Sequence, residues 1–122
     1  METQADVIVV GAGPAGSFAA LTAAKVGADV VICEEHEEVG LPSHCPGHIS
    51  ITGLNKLGLH VEGEIVENKI AGAVVYSPLS ATFRVDFSSP VTYVVNRAMF
   101  DRHLAHLAEK AGAKLLLGTR VK

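Results

Sequence analysis

The chain has 122 residues, of which 48% are hydrophobic and 5% aromatic, and its formal net charge is −3. This length suffices for one small domain with an apolar core, and the composition is typical of an ordered protein. There is no basic block for nucleic acid, no apolar run of transmembrane length and no signal-peptide pattern at the amino end. We therefore expect a cytoplasmic protein that does not bind nucleic acid.

The amino-terminal residues predict a βαβ unit. Val7–Val10 is a short apolar run followed by glycine, which indicates a buried parallel strand. The alanine-rich segment Ser17–Val26 contains no helix breaker and predicts a helix that Gly27 ends. Val30–Cys33 predicts the second strand.

The segment GAGPAG joins the first strand to the helix. Gly11, Gly13 and Gly16 have the GxGxxG spacing of a dinucleotide site. The first glycine permits the tight turn, the second lets a pyrophosphate approach the backbone, and the third lets the helix pack on the strand. Pro14 suits the first helical position. With Ala15, these residues should direct the first amides of the helix at phosphates.

An acidic residue follows the second strand. Glu34 stands where a dinucleotide's ribose should lie, and its carboxylate can accept hydrogen bonds from ribose hydroxyls. It would repel a 2′-phosphate, which disfavours NADP. Glu35 follows directly, and we include it among the cofactor-binding candidates, although we interpret the acidic patch that it forms with Glu37 and Glu38 as a solvated loop.

The remaining chain predicts an inserted β region and a return to the parallel sheet. Residues 35–50 lack periodicity and predict a long loop of the kind that often carries function. The alternation over Ala81–Phe87 predicts a half-buried strand. The apolar spacing over Arg97–Ala111 predicts a helix, and the short apolar run Lys114–Leu117 predicts a strand beside the second one.

The predicted fold class is α/β, with a Rossmann-like parallel sheet and inserted antiparallel β structure. We divide the chain into the βαβ unit (6–34), a cofactor-side loop with a short helix (35–60), the inserted β region (61–95), and a helix with the returning strand (96–122).

The two cysteines do not form a disulfide framework. Cys33 lies in the second predicted strand and is expected to be a small buried core residue. His44, Cys45 and His48 are close in sequence, but their spacing matches no standard zinc pattern, so we predict no metal site.

The glycine motif with Glu34 resembles the amino-terminal FAD site of glutathione-reductase-type flavoproteins, in the branch that includes p-hydroxybenzoate hydroxylase. The segment GLPSHCPGHIS resembles the Cys-x-Gly-x-x-Ser segment of the geranylgeranyl reductase family, with Cys45, Gly47 and Ser50 in the matching positions. A third stretch resembles that family's Arg-x-x-Phe-Asp-x-x-Leu helix, where Arg97 is the arginine, followed by Phe100, Asp101 and Leu104.

The resemblance implies that FAD is the cofactor, with its pyrophosphate over residues 11–16 and its adenosine ribose at Glu34. It implies that the loop containing Cys45 and Gly47 approaches the isoalloxazine ring, where Cys45 would shape the pocket or donate a proton. An ordinary loop cysteine is the alternative. It also implies that Arg97 lies near the phosphates or ribose, the alternative being an arginine that points to solvent. Members of the family reduce isoprenoid double bonds in chlorophyll precursors or archaeal ether lipids.

In such enzymes a second FAD motif and the isoprenoid pocket come from later segments of a longer chain. The resemblance therefore implies the FAD-binding amino-terminal portion of an oxidoreductase whose carboxyl-terminal half is missing. A homo-oligomer is a separate expectation, because small domains of truncated enzymes often pair through the surface left open. Contact with the membrane is expected only through a lipid substrate. Two alternatives stay open: an FAD-dependent monooxygenase of the hydroxylase branch, and a non-catalytic nucleotide-binding module or truncated fragment.

Overall fold

The structure is a computed structural model that describes residues 4–122. The chain forms two compact units, one containing residues up to Ser43 together with Ala98–Lys122, and the other containing His44–Arg97. None of the helices in residues 4–122 is long and apolar enough to span a membrane. The elements in chain order are β1 (Val7–Val10), α1 (Pro14–Lys25), β2 (Val30–Cys33), β3 (His48–Ser50), α2 (Ile51–Lys56), β4 (Val66–Ile70), β5 (Gly72–Tyr76), β6 (Thr82–Asp86), β7 (Thr92–Val95), α3 (Arg97–Lys110) and β8 (Lys114–Leu116).

A three-stranded parallel sheet forms the centre of the first unit. Its strand order is β1-β2-β8, so that β2 is the middle strand. Val7 lies opposite Val30, and Val31 lies opposite Lys114. All four residues of β2 are buried, as expected for a central parallel strand. The predicted α/β class and the return of the last strand to β2 are confirmed. The prediction that Val7–Val10 is a buried strand is wrong in its burial, because Ile8 and Val10 retain 64% and 66% of their accessible surface. Strand β1 lies at the edge of the described sheet, and only its face with Val7 and Val9 packs against the core.

Helix α1 crosses from β1 to β2 and begins at Pro14, three positions before the predicted Ser17. Proline stabilises this start because its fixed φ is helical and its missing N–H would have had no intrahelical partner. The helix ends as predicted at a glycine, since Gly27 has φ +90° and its N–H donates to the Ala24 carbonyl. The buried side of α1 packs small side chains, including Ala20, into a core with β2. Small residues allow the helix axis to lie close to the sheet.

Helix α3 supplies the other wall of that core. Phe100 and Leu104 are almost fully buried, as its apolar spacing predicts, and Ala105 and Ala108 lie in the core cluster. Leu107, which helical periodicity places on the same side of α3, is only partly buried and packs at the margin of the cluster. The core of this unit is therefore rich in alanine on its helical side and in valine and isoleucine on its sheet side.

The second unit contains an antiparallel sheet of order β3-β7-β4. The prediction of an irregular loop over residues 35–50 is wrong at its end, because His48–Ser50 forms β3 and pairs with β7. Three residues are too few for an alternating pattern, so the pairing partner alone defines this strand. Ser50 then caps α2, since its hydroxyl accepts the Gly53 N–H at 3.1 Å.

Strands β5 and β6 form a separate two-stranded hairpin. The turn that joins them places Ser80 in the left-handed region at φ +64°. The prediction that Ala81–Phe87 is half-buried is wrong, because every residue of β6 is exposed and Phe83 retains 60% of its accessible surface. The alternation places Phe83 and Val85 on one face, as expected, but pairing with a single neighbouring strand leaves that face open.

Candidate dinucleotide site

The turn between β1 and α1 needs glycine at two positions for different reasons. Gly11 has φ +95°, which side-chain-bearing residues rarely adopt, and its N–H donates to the Cys33 carbonyl at 2.8 Å. At Gly16 the backbone angle is ordinary, but an added Cβ would lie only 2.0 Å from the Gly11 carbonyl oxygen. The helix therefore contacts the turn directly, as the glycine spacing predicts.

Gly13 is different, because its surroundings are open. It precedes α1 with φ −68° and ψ −179°, angles that any residue can adopt. An added Cβ would have no described atom within 4 Å. Neither backbone strain nor packing within the described chain therefore requires glycine here. The open space is where a ligand's phosphates would approach the backbone.

The first turn of α1 presents hydrogen-bond donors to that space. The Ser17 N–H makes the first intrahelical bond, to the Gly13 carbonyl at 2.9 Å. The amides of Ala15 and Gly16 precede this bond and have no acceptor in the preceding turn of the helix. Ser17 also fixes the turn with its side chain, whose hydroxyl donates to the Ala12 carbonyl at 3.0 Å. A helix of 12 residues adds its positive dipole end at the same place.

Glu34 is joined directly to the glycine turn. Its Oε2 accepts the backbone N–H of Ala12 at 2.7 Å. Its Oε1 accepts the backbone N–H of His36 at 3.0 Å and lies 2.6 Å from the Nδ1 of the same residue. The glycine spacing predicted the carboxylate at this position but not His36, because no spacing rule marks the second residue after the acid.

The pKa of Glu34 reflects these contacts. Burial of the carboxylate alone would raise its pKa, since only 8% of the residue is exposed. The hydrogen bonds from the Ala12 and His36 amides, together with the His36 side chain, outweigh burial and lower the pKa below the usual glutamate value. Glu34 is therefore ionised at neutral pH and acts only as a hydrogen-bond acceptor.

The backbone around Glu34 is fixed by the end of the parallel sheet. The Glu34 N–H donates to the Leu116 carbonyl at 2.8 Å, and the Glu34 carbonyl accepts the Thr119 N–H at 2.8 Å. Two residues further on, the His36 carbonyl accepts the Gly118 N–H at 3.0 Å. The acid therefore sits on a rigid edge formed by β2 and β8.

Together these groups fit the adenosine-diphosphate part of a dinucleotide. The open backbone at Gly13 and the amides at the start of α1 suit a pyrophosphate. The ionised Glu34 carboxylate, held against the turn, suits ribose hydroxyls and opposes an extra phosphate. Glu35, also predicted in the site, forms an exposed ion pair with Arg120 at 3.4 Å, and its contact with a cofactor stays a prediction.

The other predicted site residues belong to the second unit or to its boundary. Cys45 is exposed, and its Sγ accepts the Gly47 N–H at 3.5 Å. Gly47 has φ +80°, and an added Cβ would meet the Val95 carbonyl, so the fold itself requires glycine there. Arg97 is the first residue of α3. Their placement beside the flavin stays a prediction of the resemblance.

The described part of the chain contains no cluster of side chains that could bind a metal ion. In residues 4–122, no group of three or more histidine, cysteine, aspartate or glutamate side chains is arranged to hold an ion. Cys33 and Cys45 are both reduced, and Cys33 is buried in β2 as predicted.

Comparison with known proteins agrees with this geometry. The sequence model of the family described as FAD dependent oxidoreductase matches residues 6–122. The digeranylgeranylglycerophospholipid reductase of Methanocaldococcus jannaschii is 41% identical over 114 residues. A second reductase of that name, from Methanopyrus kandleri, is 42% identical over 112 residues. The expected resemblance to geranylgeranyl reductases is confirmed.

A solved structure adds agreement in three dimensions. The geranylgeranyl bacteriochlorophyll reductase-like protein of Thermoplasma acidophilum superposes with a TM-score of 0.88 and is 36% identical, over 93% of this chain and 30% of that one. The two curated reductases are matched over 93% and 92% of this chain, but over only 29% and 28% of their own lengths. The chain therefore spans less than a third of each relative.

Proposed function

We propose that this chain, which belongs to the FAD dependent oxidoreductase family, is the FAD-binding portion of a reductase that saturates isoprenoid double bonds in lipids. The observation that carries the proposal is the open backbone at Gly13, at the start of α1 and one residue from the amide that Glu34 holds. The βαβ unit thus offers the phosphate-binding and ribose-binding groups of FAD within a few residues.

The pyrophosphate of FAD would lie over Gly13, at the amides of Ala15 and Gly16. Backbone amides at a helix start bind phosphate oxygens without a cationic side chain, because the amides and the helix dipole supply the positive potential. Gly13 allows the phosphates to come closer than any Cβ would permit. Pro14 loses nothing at this position, because the first helical N–H has no intrahelical partner.

The adenosine ribose would lie at Glu34. Its carboxylate is ionised and oriented before the ligand arrives, so little reorganisation accompanies binding. A 2′-phosphate would meet a buried negative charge at this position. The site therefore favours FAD over a 2′-phosphorylated dinucleotide.

The substrate class rests on the relatives rather than on this chain's own residues. The curated relatives bear the name digeranylgeranylglycerophospholipid reductase, and the chain covers less than a third of each. We propose the same class of substrate, an isoprenoid lipid, for the complete enzyme. Bound FAD supplies hydride transfer to a carbon–carbon double bond. The residues of this chain bind the adenosine-diphosphate end of the cofactor and hold it in place.

The resemblance supplies roles for three further residues. Cys45 and Gly47 would approach the isoalloxazine ring, where Cys45 would shape the pocket or donate a proton. Arg97 would neutralise charge at the phosphates or hydrogen-bond the ribose. The support for these roles is the similarity of the Cys-x-Gly-x-x-Ser and Arg-x-x-Phe-Asp segments to those of geranylgeranyl reductases.

Cofactor binding is tested with Gly13→Asp. The substitution adds a side chain and a negative charge where the pyrophosphate should lie, in a position whose backbone angles tolerate any residue. We expect at least a ~100-fold loss of FAD affinity, or about 3 kcal/mol, measured by flavin fluorescence titration. Gly53→Asp is the matched control, because that glycine also lies in a first helical turn and a Cβ there makes ordinary contacts. Equal affinity in the two variants would contradict the site.

The reductase activity is tested by exchange. We would replace the matched segment of the Methanocaldococcus jannaschii reductase with residues 6–122 of this chain and assay reduction of that enzyme's lipid substrate by mass spectrometry. The proposal predicts a gain of two hydrogens per saturated double bond, abolished by Gly13→Asp in the same chimera. A folded chimera that binds FAD but leaves the lipid unchanged would contradict the proposed reaction while leaving FAD binding intact.

A further inference from the structure

The contacts of the Glu34 carboxylate leave little capacity for a ligand. Each carboxylate oxygen has two lone pairs. Oε1 accepts two hydrogen bonds from His36, one from its backbone N–H at 3.0 Å and one at its Nδ1 at 2.6 Å. Oε2 accepts one hydrogen bond, from Ala12 at 2.7 Å. One lone pair of Oε2 therefore remains for a further donor.

The imidazole of His36 is held in a defined orientation. The backbone carbonyl of His36 accepts the Gly118 N–H, and the backbone N–H of His36 donates to Glu34 Oε1. Both backbone groups of the residue are therefore fixed, which restricts the orientation of its ring. Because an ionised carboxylate only accepts hydrogen bonds, Nδ1 must carry the proton in this pair. Nearly half of the His36 side chain is exposed, so apolar burial does not explain this orientation.

We propose that His36 is a positioning residue for ribose recognition: by occupying Oε1 it turns the free lone pair of Glu34 Oε2 toward a ribose hydroxyl of the cofactor. The inference rests on the proposed FAD function. Without the Nδ1 bond, the backbone amides of Ala12 and His36 still hold the carboxylate, but Oε1 gains a free lone pair that competes with Oε2 for the ribose hydroxyl. With the Nδ1 bond, Oε1 is filled, and the free lone pair of Oε2, beside the Ala12 amide at the edge of the phosphate-binding turn, is the one left for the ribose.

Two variants separate the hydrogen bond from the ring. In His36→Asn the side-chain amide can replace the Nδ1–H donor, since the amide nitrogen of asparagine occupies a position close to that of Nδ1. In His36→Phe the ring shape is kept but the donor is lost. The probes are ADP and 2′,3′-dideoxy-ADP, which share the phosphates and the base and differ only in the ribose hydroxyls.

Calorimetric titration of the chain with both nucleotides gives the readout. We expect the wild-type chain to bind ADP about 10-fold or more tightly than the dideoxy nucleotide, as for a hydrogen bond to a charged acceptor. The preference should persist in His36→Asn and fall to about 2-fold in His36→Phe. In a Glu34→Gln background, His36→Phe should cause no further change, because the two residues act as one unit.

A merely structural role would weaken both nucleotides equally in His36→Phe and leave the preference unchanged, and that result would overturn the inference. A preference lost equally in both variants would also overturn it. A wild-type chain that binds neither nucleotide would contradict the proposed function itself. The ¹⁵N resonances of His36 in the ligand-free chain distinguish the two failures, since the inference requires the Nδ1–H form, and an Nε2–H form would refute it whether or not ADP binds.

Discussion

Adding a single methyl group at Gly16 should destabilise the fold, whereas adding it at Gly13 should not. At Gly16 the new Cβ would lie 2.0 Å from the Gly11 carbonyl oxygen and 3.2 Å from Val9 Cγ1. Contacts below 3.0 Å are essentially never observed, so helix and turn must separate by about 1 Å against backbone atoms that cannot rotate away.

The expected cost follows from two opposing effects. Overpacking against backbone costs about 3 kcal/mol or more, and replacing glycine by alanine inside a helix returns about 1 kcal/mol. We expect Gly16→Ala to lower the free energy of unfolding by about 2 kcal/mol or more, which corresponds to roughly 8 °C in Tm for a chain of this size. Gly13→Ala should stay within about 1 kcal/mol of the wild type, the difference expected between glycine and alanine before a helix.

Urea denaturation followed by circular dichroism measures both variants, and ADP titration measures binding. Gly13→Ala should remain folded but bind ADP at least about 10-fold more weakly, because the methyl group occupies the space of the phosphates. If Gly16→Ala is as stable as the wild type, the close contact between α1 and the turn is wrong. If Gly13→Ala binds ADP normally, the phosphates do not lie over that residue.

Two further predictions concern acid stability and the apolar residues. In Glu34→Gln the free energy of unfolding at pH 7 should fall by about 1–2 kcal/mol, because glutamine is neutral and keeps only one acceptor oxygen, so that its NH₂ group faces a donor that the carboxylate had satisfied. The pKa of Glu34 is lowered in the folded chain, so the extra stability of the wild type is complete above the ordinary glutamate pKa and disappears as the pH falls through the lowered pKa. A stability difference between wild type and variant that persists unchanged into strong acid would contradict the role of the ionised carboxylate. Phe100→Ala should cost about 3–5 kcal/mol because Phe100 is 3% exposed, whereas Phe83→Ala should change stability by less than about 0.5 kcal/mol because Phe83 is 60% exposed. Equal losses of stability in Phe100→Ala and Phe83→Ala, measured by thermal denaturation, would show that the face of β6 that carries Phe83 is buried and would contradict this prediction.

The sequence predicted the βαβ unit well because its signals are local. The bounds of β1 and β2 agree with the apolar runs, and Gly27 ends α1 as glycine does after a helix. Glu34 was also predictable, since it follows a buried strand at the spacing that the motif demands. These features depend on backbone angles and short-range periodicity, which a single sequence displays directly.

The errors arose where a partner strand decides the outcome. Strand β3 is three residues long and exists because it pairs with β7, so its own sequence carried no recognisable alternation. The alternation in β6 correctly gave the face of Phe83 but not its burial, because burial depends on what covers the face. His36 was missed because its contact with Glu34 follows from the path of the chain after β2, which no residue pattern describes.

We propose that the turn from Gly11 to Gly16, with Glu34, binds the adenosine-diphosphate end of FAD. The decisive measurement is titration of the purified chain with FAD, followed by flavin fluorescence, and then displacement of the bound FAD with ADP. We expect saturable binding of FAD and complete displacement by ADP, because both ligands present the same half to the site. A chain that is folded by circular dichroism yet binds neither FAD nor ADP would contradict it.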